Sequence, residues 1–324
     1  MKAVIPVAGI GKRLRPHTHT SPKALISVAG KPILGHIVDS LVNMGVTELI
    51  PIIGYKGDQI TEYLSGAYDL QIDFVYQKEQ KGIAHAVDLT RQYADDSELI
   101  IILGDTIIET DFTKIPKAGD FVLGVREVAD PKRFGICEVD GGVITSIVEK
   151  PDDPKSNLAI VGLYYFRNSA PLYEACREVI DRDIKTKGEY QITDALALMI
   201  EKGTSFVPYE IDGWHDCGKV ETLLETNRVL LEGVRNEAHG INSVIIPPCF
   251  IDPGSTIENS VVGPYVSVAG GCSITDSVVK NSILNENSSL SNVVLDSSVI
   301  GAGAEVIRSS SNLNISDDSQ VDLG

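Results

Sequence analysis

The first chemically pointed segment of this chain is a glycine loop that follows an apolar run, Lys2–Val7. It reads Val7-Ala8-Gly9-Ile10-Gly11-Lys12-Arg13-Leu14. Glycines placed directly after a strand let backbone N–H groups approach phosphate oxygens, and Lys12, Arg13 and Arg15 supply the counter-charge. The spacing matches neither a P-loop nor the full dinucleotide fingerprint G-x-G-x-x-G. Lys23 follows in Ser21-Pro22-Lys23-Ala24-Leu25, where a proline stiffens the turn that presents it. The whole chain carries a net charge of −17, yet residues 1–38 hold six Lys or Arg and no Asp or Glu. An acidic protein with its cations gathered at one loop is suited to a small polyanion, and nucleic acid is excluded as a partner because it requires a broad basic face.

Two carboxylates stand out further along. Asp105 closes Leu99–Leu103, five aliphatic residues that suit a central strand buried on both faces. Ligands of open α/β sheets bind at the carboxyl ends of such strands. Asp216 follows Trp214, the only tryptophan, in Trp214-His215-Asp216-Cys217-Gly218. Two carboxylates from distant segments can hold one Mg²⁺, with phosphate and water oxygens filling the shell. The five cysteines are odd in number and never form C-x-x-C, so a disulfide framework and a zinc site are both excluded. Neither a leader segment nor a membrane-length apolar run is visible, and the expected location is the cytoplasm.

These residues need a scaffold, and the order of elements describes one. Strands are expected at Lys2–Val7, Glu48–Ile53, Gln71–Tyr76 and Leu99–Leu103. Helices are expected from Pro32 to Met44 and over Asp58–Leu64 and Ile83–Tyr93. Alternation of this kind implies a mostly parallel sheet with helices on both sides. Short strands over Phe121–Phe166 imply an antiparallel extension, and helices return at Ser169–Asp181, Ile192–Lys202 and Val220–Glu232. Near residue 240 the helical period stops. Single aliphatics then recur every five or six residues: Ile245, Ile251, Ile257, Val262, Val268, Ile274, Val279, Leu284, Leu290, Leu295, Ile300 and Val306. That is a hexapeptide repeat, three short strands to each coil of a triangular solenoid. Hexapeptide solenoids are left-handed, and that hand is expected here. The expected domains are 1–238 and 239–324, with Asn312–Gly324 forming a last partial coil or cap.

In colinear order over residues 1–235, the chain carries A-G-x-G-x-R-L at Ala8, Pro22-Lys23, and Gly30-Lys31-Pro32-Ile33-Leu34. Tyr76-Gln77, Gly82-Ile83-Ala84-His85-Ala86 and Leu103-Gly104-Asp105 come next. Arg133-Phe134-Gly135, Val148-Glu149-Lys150-Pro151, Gly162-Leu163-Tyr164, Gly188–Asp194 and Trp214–Gly218 complete the set. This set resembles the nucleoside-diphosphate-sugar pyrophosphorylases, and with the solenoid included it resembles their long thymidylyltransferase form. The resemblance implies a Rossmann-like nucleotidyltransferase domain followed by a β-helix. It also implies transfer of a thymidylyl or uridylyl group to glucose 1-phosphate, with Mg²⁺ as cofactor. It assigns Arg13, Lys23 and Lys150 to catalysis and Ala8, Gly9, Gly11, Gln77, Gly82 and Asp105 to the nucleotide. Gly135, Glu149, Lys150, Ile160 and Tyr164 fall to the sugar, with Glu189 and Thr193 able to help, and Asp105 and Asp216 to the metal. Lys12 stands where many relatives have threonine, and the loop has one glycine fewer than short thymidylyltransferases, a version shared with uridylyltransferases.

Other readings fit less well. A hydride-transfer enzyme would leave Lys23, Lys150 and the aspartates unexplained. A solenoid acyltransferase would need a histidine base, and none follows His239. A non-catalytic paralogue would be expected to lack some of Arg13, Lys23, Asp105, Lys150 and Asp216. A guanylyltransferase acting on mannose 1-phosphate is disfavoured by the pyrimidine-type Gln77. The expected partners are small-molecule substrates and further copies of the same chain, with no membrane involved.

Overall fold

The structure, a computed structural model, describes residues 1–94, 96–234 and 240–308. Two compact units emerge. The first comprises residues 1–26 and 31–226, and the second residues 27–30 and 227 onward. The expected junction at 238/239 and the expected cap at Asn312–Gly324 lie outside the described residues. Among the described residues no helix is long and apolar enough to cross a membrane.

The strands β1 (Lys2–Pro6), β2 (Ser27–Val28) and β3 (Lys31–Pro32) are followed by α1 (Ile33–Met44), β4 (Glu48–Ile53) and α2 (Gly57–Ala67). Next come β5 (Gln71–Ile72), β6 (Val75–Tyr76), α3 (Ile83–Asp88), α4 (Arg91–Ala94) and β7 (Leu99–Ile102). β1 lies between β4 and β7, parallel to both, and its Ala3, Val4 and Ile5 have no exposed surface. Burial on both faces explains why this segment is continuously apolar rather than alternating. β5 and β6 both pair with β4 in parallel. The expected single strand 71–76 is two short pieces that keep one register on β4, with Asp73 N–H donating to Leu49 O between them. The expected helix 83–93 is likewise two helices. The Thr90 hydroxyl donates back to Val87 O at the break and meets Tyr173 Oη at 2.7 Å.

Beyond β7 the sheet turns antiparallel, as expected. β8 (Thr106–Glu109) leaves the sheet. α5 (Ile115–Ala118), β9 (Phe121–Glu127), β10 (Gly135–Asp140), β11 (Val143–Glu149) and β12 (Leu158–Phe166) follow. β12 runs antiparallel to β7, β9 and β10, and β10 to β11. After α6 (Ala170–Asp181) and α7 (Ile192–Glu201), β13 (Val207–Glu210) joins β9 in parallel. β14 (Gly213–Asp216) instead pairs antiparallel with β8, and α8 (Val220–Leu231) follows.

In the second unit, twelve short strands stack as three four-stranded parallel sheets. One runs through Val244–Ile245, Val261–Val262, Val278–Lys280 and Val294–Asp296. The second runs through Cys249–Ile251, Val266–Val268, Ile283–Leu284 and Val299–Ile300. The third runs through Thr256–Glu258, Ser273–Thr275, Ser289–Ser291 and Glu305–Ile307. All twelve phased aliphatics belong to this unit's apolar core, where Cys249, Val266, Cys272 and Val293 join them. Buried serines fix the corners. Ser260 Oγ accepts from Ser277 N–H and Ser277 Oγ from Val293 N–H, which satisfies amides that no strand reaches. Residues 27–30 are tied in through Asn227, whose Oδ1 accepts from Ala29 N–H and from the Ser267 hydroxyl.

Candidate active site

The glycine loop leaves β1 and is held open over the carboxyl ends of the parallel strands. Val7 N–H donates to Ile52 O, and Gly104 N–H to Pro6 O. Gly11 adopts φ 67°, and a Cβ there would stand 2.9 Å from Lys23 Cβ. The glycine therefore serves two ends, the left-handed turn and the close approach of Lys23. Thr18 Oγ1 donates to Gly11 O and secures the return of the chain.

Lys23 Nζ donates to Asp105 Oδ2 at 2.9 Å, with the lysine side chain 11% exposed. Burial alone would push the Asp105 carboxyl upward. The Lys23 charge and hydrogen bond, the Thr106 hydroxyl and the Arg13 charge outweigh it, so the carboxyl is held below its ordinary range. Asp105 is thus an anion throughout the neutral range.

Asp216 reaches the same place through the two-stranded ribbon of β8 and β14. The register sets Asp216 opposite Thr106, and Cys217 N–H donates to Asp105 O. Two carboxylates 111 positions apart in sequence thereby line one cavity. Gly218 makes room for Asp216 and Arg13: a Cβ there would lie 2.7 Å from both Arg13 Nη2 and Asp216 Oδ1. Between these residues, burial pushes the Cys217 thiol up to about 12, which removes it as a thiolate nucleophile.

A second group gathers at the end of β11. Lys150 adopts φ 43°, outside the range its strand would impose. Neighbouring strand residues point to opposite faces, and this turn returns Lys150 to Glu149, with Nζ 3.1 Å from Oε1. Thr193 Oγ1 donates to the other Glu149 oxygen at 2.9 Å. Gly135 packs flat against both, since a Cβ would stand 2.7 Å from Thr193 Cγ2. Tyr164 is 3% exposed, and burial together with Glu149 and Asp105 pushes its phenol up, so it remains a neutral hydroxyl.

These groups line two cavities. The first, of about 440 Å³, is lined by Ala8, Gly9, Gly11, Arg13, Lys23, Gln77, Gly82 and Asp105, every residue expected for the nucleotide. The second, of about 690 Å³, takes in Gly135, Glu149, Lys150, Ile160, Tyr164 and Asp216, again with Arg13 and Asp105. Arg13, Asp105, Leu103, Ile83 and Glu189 belong to both walls, so the cavities adjoin. All the expected site residues are brought together.

Other wall residues were given no role from the sequence. Gln80 Nε2 donates to Ala8 O at 2.9 Å and joins the segment after β6 to the glycine loop. It sits in Lys78-Glu79-Gln80-Lys81, which reads as a solvated turn. Lys132, Arg133, Phe134 and Trp214 line the second cavity, the two rings meeting edge-on at 4.8 Å.

Asp105 and Asp216 offer hard oxygen donors in one wall. Among the described residues, no group of three or more His, Cys, Asp or Glu forms a metal cage. Two such donors suit a divalent cation that takes the rest of its shell from phosphate and water.

A mostly parallel sheet with a cation-lined glycine loop, adjoining a carboxylate-and-lysine cavity, defines an enzyme class that moves nucleotidyl groups. The chain belongs to the nucleotidyl transferase family, which matches residues 2–233, and residues 227–312 match a GlmU-like C-terminal hexapeptide family. A glucose-1-phosphate thymidylyltransferase of Streptomyces antibioticus is 32% identical, covering 95% of this chain and 94% of that one. A UTP–glucose-1-phosphate uridylyltransferase of Haloferax volcanii is 37% identical over 72% of this chain and 97% of its own. The crystal structure of a UDP-glucose pyrophosphorylase complexed with UDP-glucose shares the fold, with a TM-score of 0.63 at 23% identity, over 72% of this chain and 99% of that one.

Proposed function

We propose that the chain joins glucose 1-phosphate to the nucleotidyl group of dTTP or UTP and releases pyrophosphate. The observation that carries this reading is the shared wall at Arg13 and Asp105, where a nucleotide in one cavity would meet a sugar phosphate in the other. A phosphate monoester loses its second proton near about pH 6, so the attacking oxygen is already an anion and no general base is required. The task left to the protein is to align two polyanions and neutralise their repulsion.

In this reading Arg13 holds the departing β- and γ-phosphates, with Lys12 beside it. Lys23 lies at the α-phosphate, and Lys150 holds the sugar phosphate whose oxygen attacks in line. In the free site both lysines are paired with carboxylates, Lys23 with Asp105 and Lys150 with Glu149. Substrate phosphates would replace those partners. Asp105 and Asp216 would hold Mg²⁺, which when bound supplies positive charge at the α-phosphate. Glu149, fixed by Thr193, would accept hydrogen bonds from sugar hydroxyls, beside Gly135, Ile160 and Tyr164. Gln77 and Gly82 would face the base, and Ala8, Gly9 and Gly11 the phosphates.

The names of the two relatives favour thymidylyl and uridylyl transfer about equally, and the donors differ by one methyl group and one hydroxyl. The test is pyrophosphate release with each nucleotide in turn. Production from dTTP or UTP with glucose 1-phosphate supports the reading, and production only from GTP with mannose 1-phosphate contradicts it.

A further inference from the structure

Gln77 is 8% exposed, and its backbone N–H is fixed on Ile53 O, so little about this side chain is free except which way its amide faces. Its Nε2 lies 3.5 Å from Gly82 O and 3.4 Å from His85 Nδ1. A carbonyl oxygen can only accept, so the NH₂ end must be the one turned toward Gly82. His85 Nδ1 must then accept as well, which requires a neutral ring with its proton on Nε2. Both N–H groups of the amide are thereby directed inward. Among the described residues no group donates to Oε1, the atom left for the cavity that Gln77 lines.

We propose that His85 is a positioning residue for base selection, holding the Gln77 amide with its carbonyl oxygen toward the nucleotide. This deepens the proposed function by naming what sets its base class. A presented acceptor pairs with the ring N–H of an imide base, uracil or thymine, and opposes the lone pair at the same ring position of cytosine. A protonated His85 presents Nδ1–H to the amide nitrogen instead, which opposes the orientation that Gly82 O favours and weakens the preference. The neutral ring is the ordinary state here. Burial holds the His85 pKa below its usual value, Lys81 adds to this, and Asp88 and Glu79 oppose it. Asp88 is itself paired with Arg177 of α6 at 2.8 Å.

The test is calorimetric binding of UTP, dTTP and CTP to the full chain with Mg²⁺, between about pH 5.5 and 8, with turnover recorded alongside. Wild type is expected to favour UTP and dTTP over CTP, with the advantage shrinking toward acid as His85 gains its proton. His85→Lys, a donor at every pH, is expected to lose about tenfold or more of that advantage and all of its pH dependence. Adding Gln77→Glu to His85→Lys is expected to restore the preference, because a carboxylate accepts whichever way it turns. If His85→Lys fails to fold by circular dichroism, His85→Leu takes its place, with a smaller loss and again no pH dependence. An unchanged preference and pH profile in the variants overturns the proposal, as does a double variant that restores nothing. Selective binding without turnover would count against the proposed reaction and leave the role of His85 standing.

Discussion

Replacing Gly218 by alanine tests the site through a single methyl group. That carbon would stand 2.7 Å from Arg13 Nη2, 2.7 Å from Asp216 Oδ1 and 3.2 Å from Arg13 Cζ. Ordinary contact begins near 3.4 Å, so the guanidinium and the carboxylate must each retreat by about 0.7 Å. Both are side-chain ends, and they can retreat without disturbing the backbone, so the fold should survive. The reaction should not: a misplacement of about 1 Å can cost about a hundredfold in rate. We expect kcat/KM to fall about ten- to a hundredfold, equivalent to about 1.4–2.7 kcal/mol of transition-state stabilisation. Coupled pyrophosphate detection measures kcat/KM, and a thermal melt checks that the fold survives. Gly66→Ala in α2 is the control, because nothing lies within 4 Å of its Cβ and helical alanine is favoured over glycine by about 0.5–1 kcal/mol. A Gly218→Ala chain with kcat/KM within threefold of wild type would refute the claim that Arg13 and Asp216 act at fixed positions.

Lys150→Ala should raise the KM for the sugar phosphate and leave Glu149, 9% exposed on its side chain, without its cation; substrate titration at fixed nucleotide reads this. Gly82→Ala should lower Tm sharply, because φ 115° strains any L residue and the new carbon would meet Tyr190 O at 2.3 Å. Ser260→Ala should destabilise the second unit by about 1–3 kcal/mol, since the buried Ser277 N–H loses its acceptor, and denaturant melts would show the change. Burial raises the Asp88 pKa despite Arg177 and Arg91. A carboxyl raised in this way stabilises the fold below its unfolded pKa, and that contribution disappears as pH climbs through the folded value. Asp88→Asn should therefore gain Tm relative to wild type as pH rises above about 4, and a constant difference would contradict this.

Much of this architecture could be read from residue order, because burial leaves periodic traces. The apolar Leu99–Leu103 run signalled a strand covered on both faces, and the phase of the twelve aliphatics marked the solenoid core. Features that depend on local backbone turns left weaker traces. The meeting of Asp105 with Asp216 rests on a ribbon of two four-residue strands, too short to carry a period. The left-handed turn at Lys150 brings it to Glu149 and has no signature in Val148-Glu149-Lys150-Pro151. The role of Gly218 lies in what it omits, which becomes visible only once Arg13 and Asp216 flank it. At the solenoid corners, Asn242, Asn259, Asp276 and Asn292 all take positive φ. Asn and Asp tolerate that conformation better than most residues, so this second phase was present in the sequence beside the aliphatic one.

The most direct test of the central claim is pyrophosphate release with Mg²⁺, with dTTP, UTP, GTP, CTP and ATP each crossed against glucose, mannose, galactose and N-acetylglucosamine 1-phosphates. Wild type and Asp105→Asn would be run in parallel. Release from dTTP or UTP with glucose 1-phosphate, abolished in the variant, is the expected result. A folded wild-type chain that binds nucleotide yet releases pyrophosphate with no pair would contradict the account, as would an Asp105→Asn chain of undiminished activity.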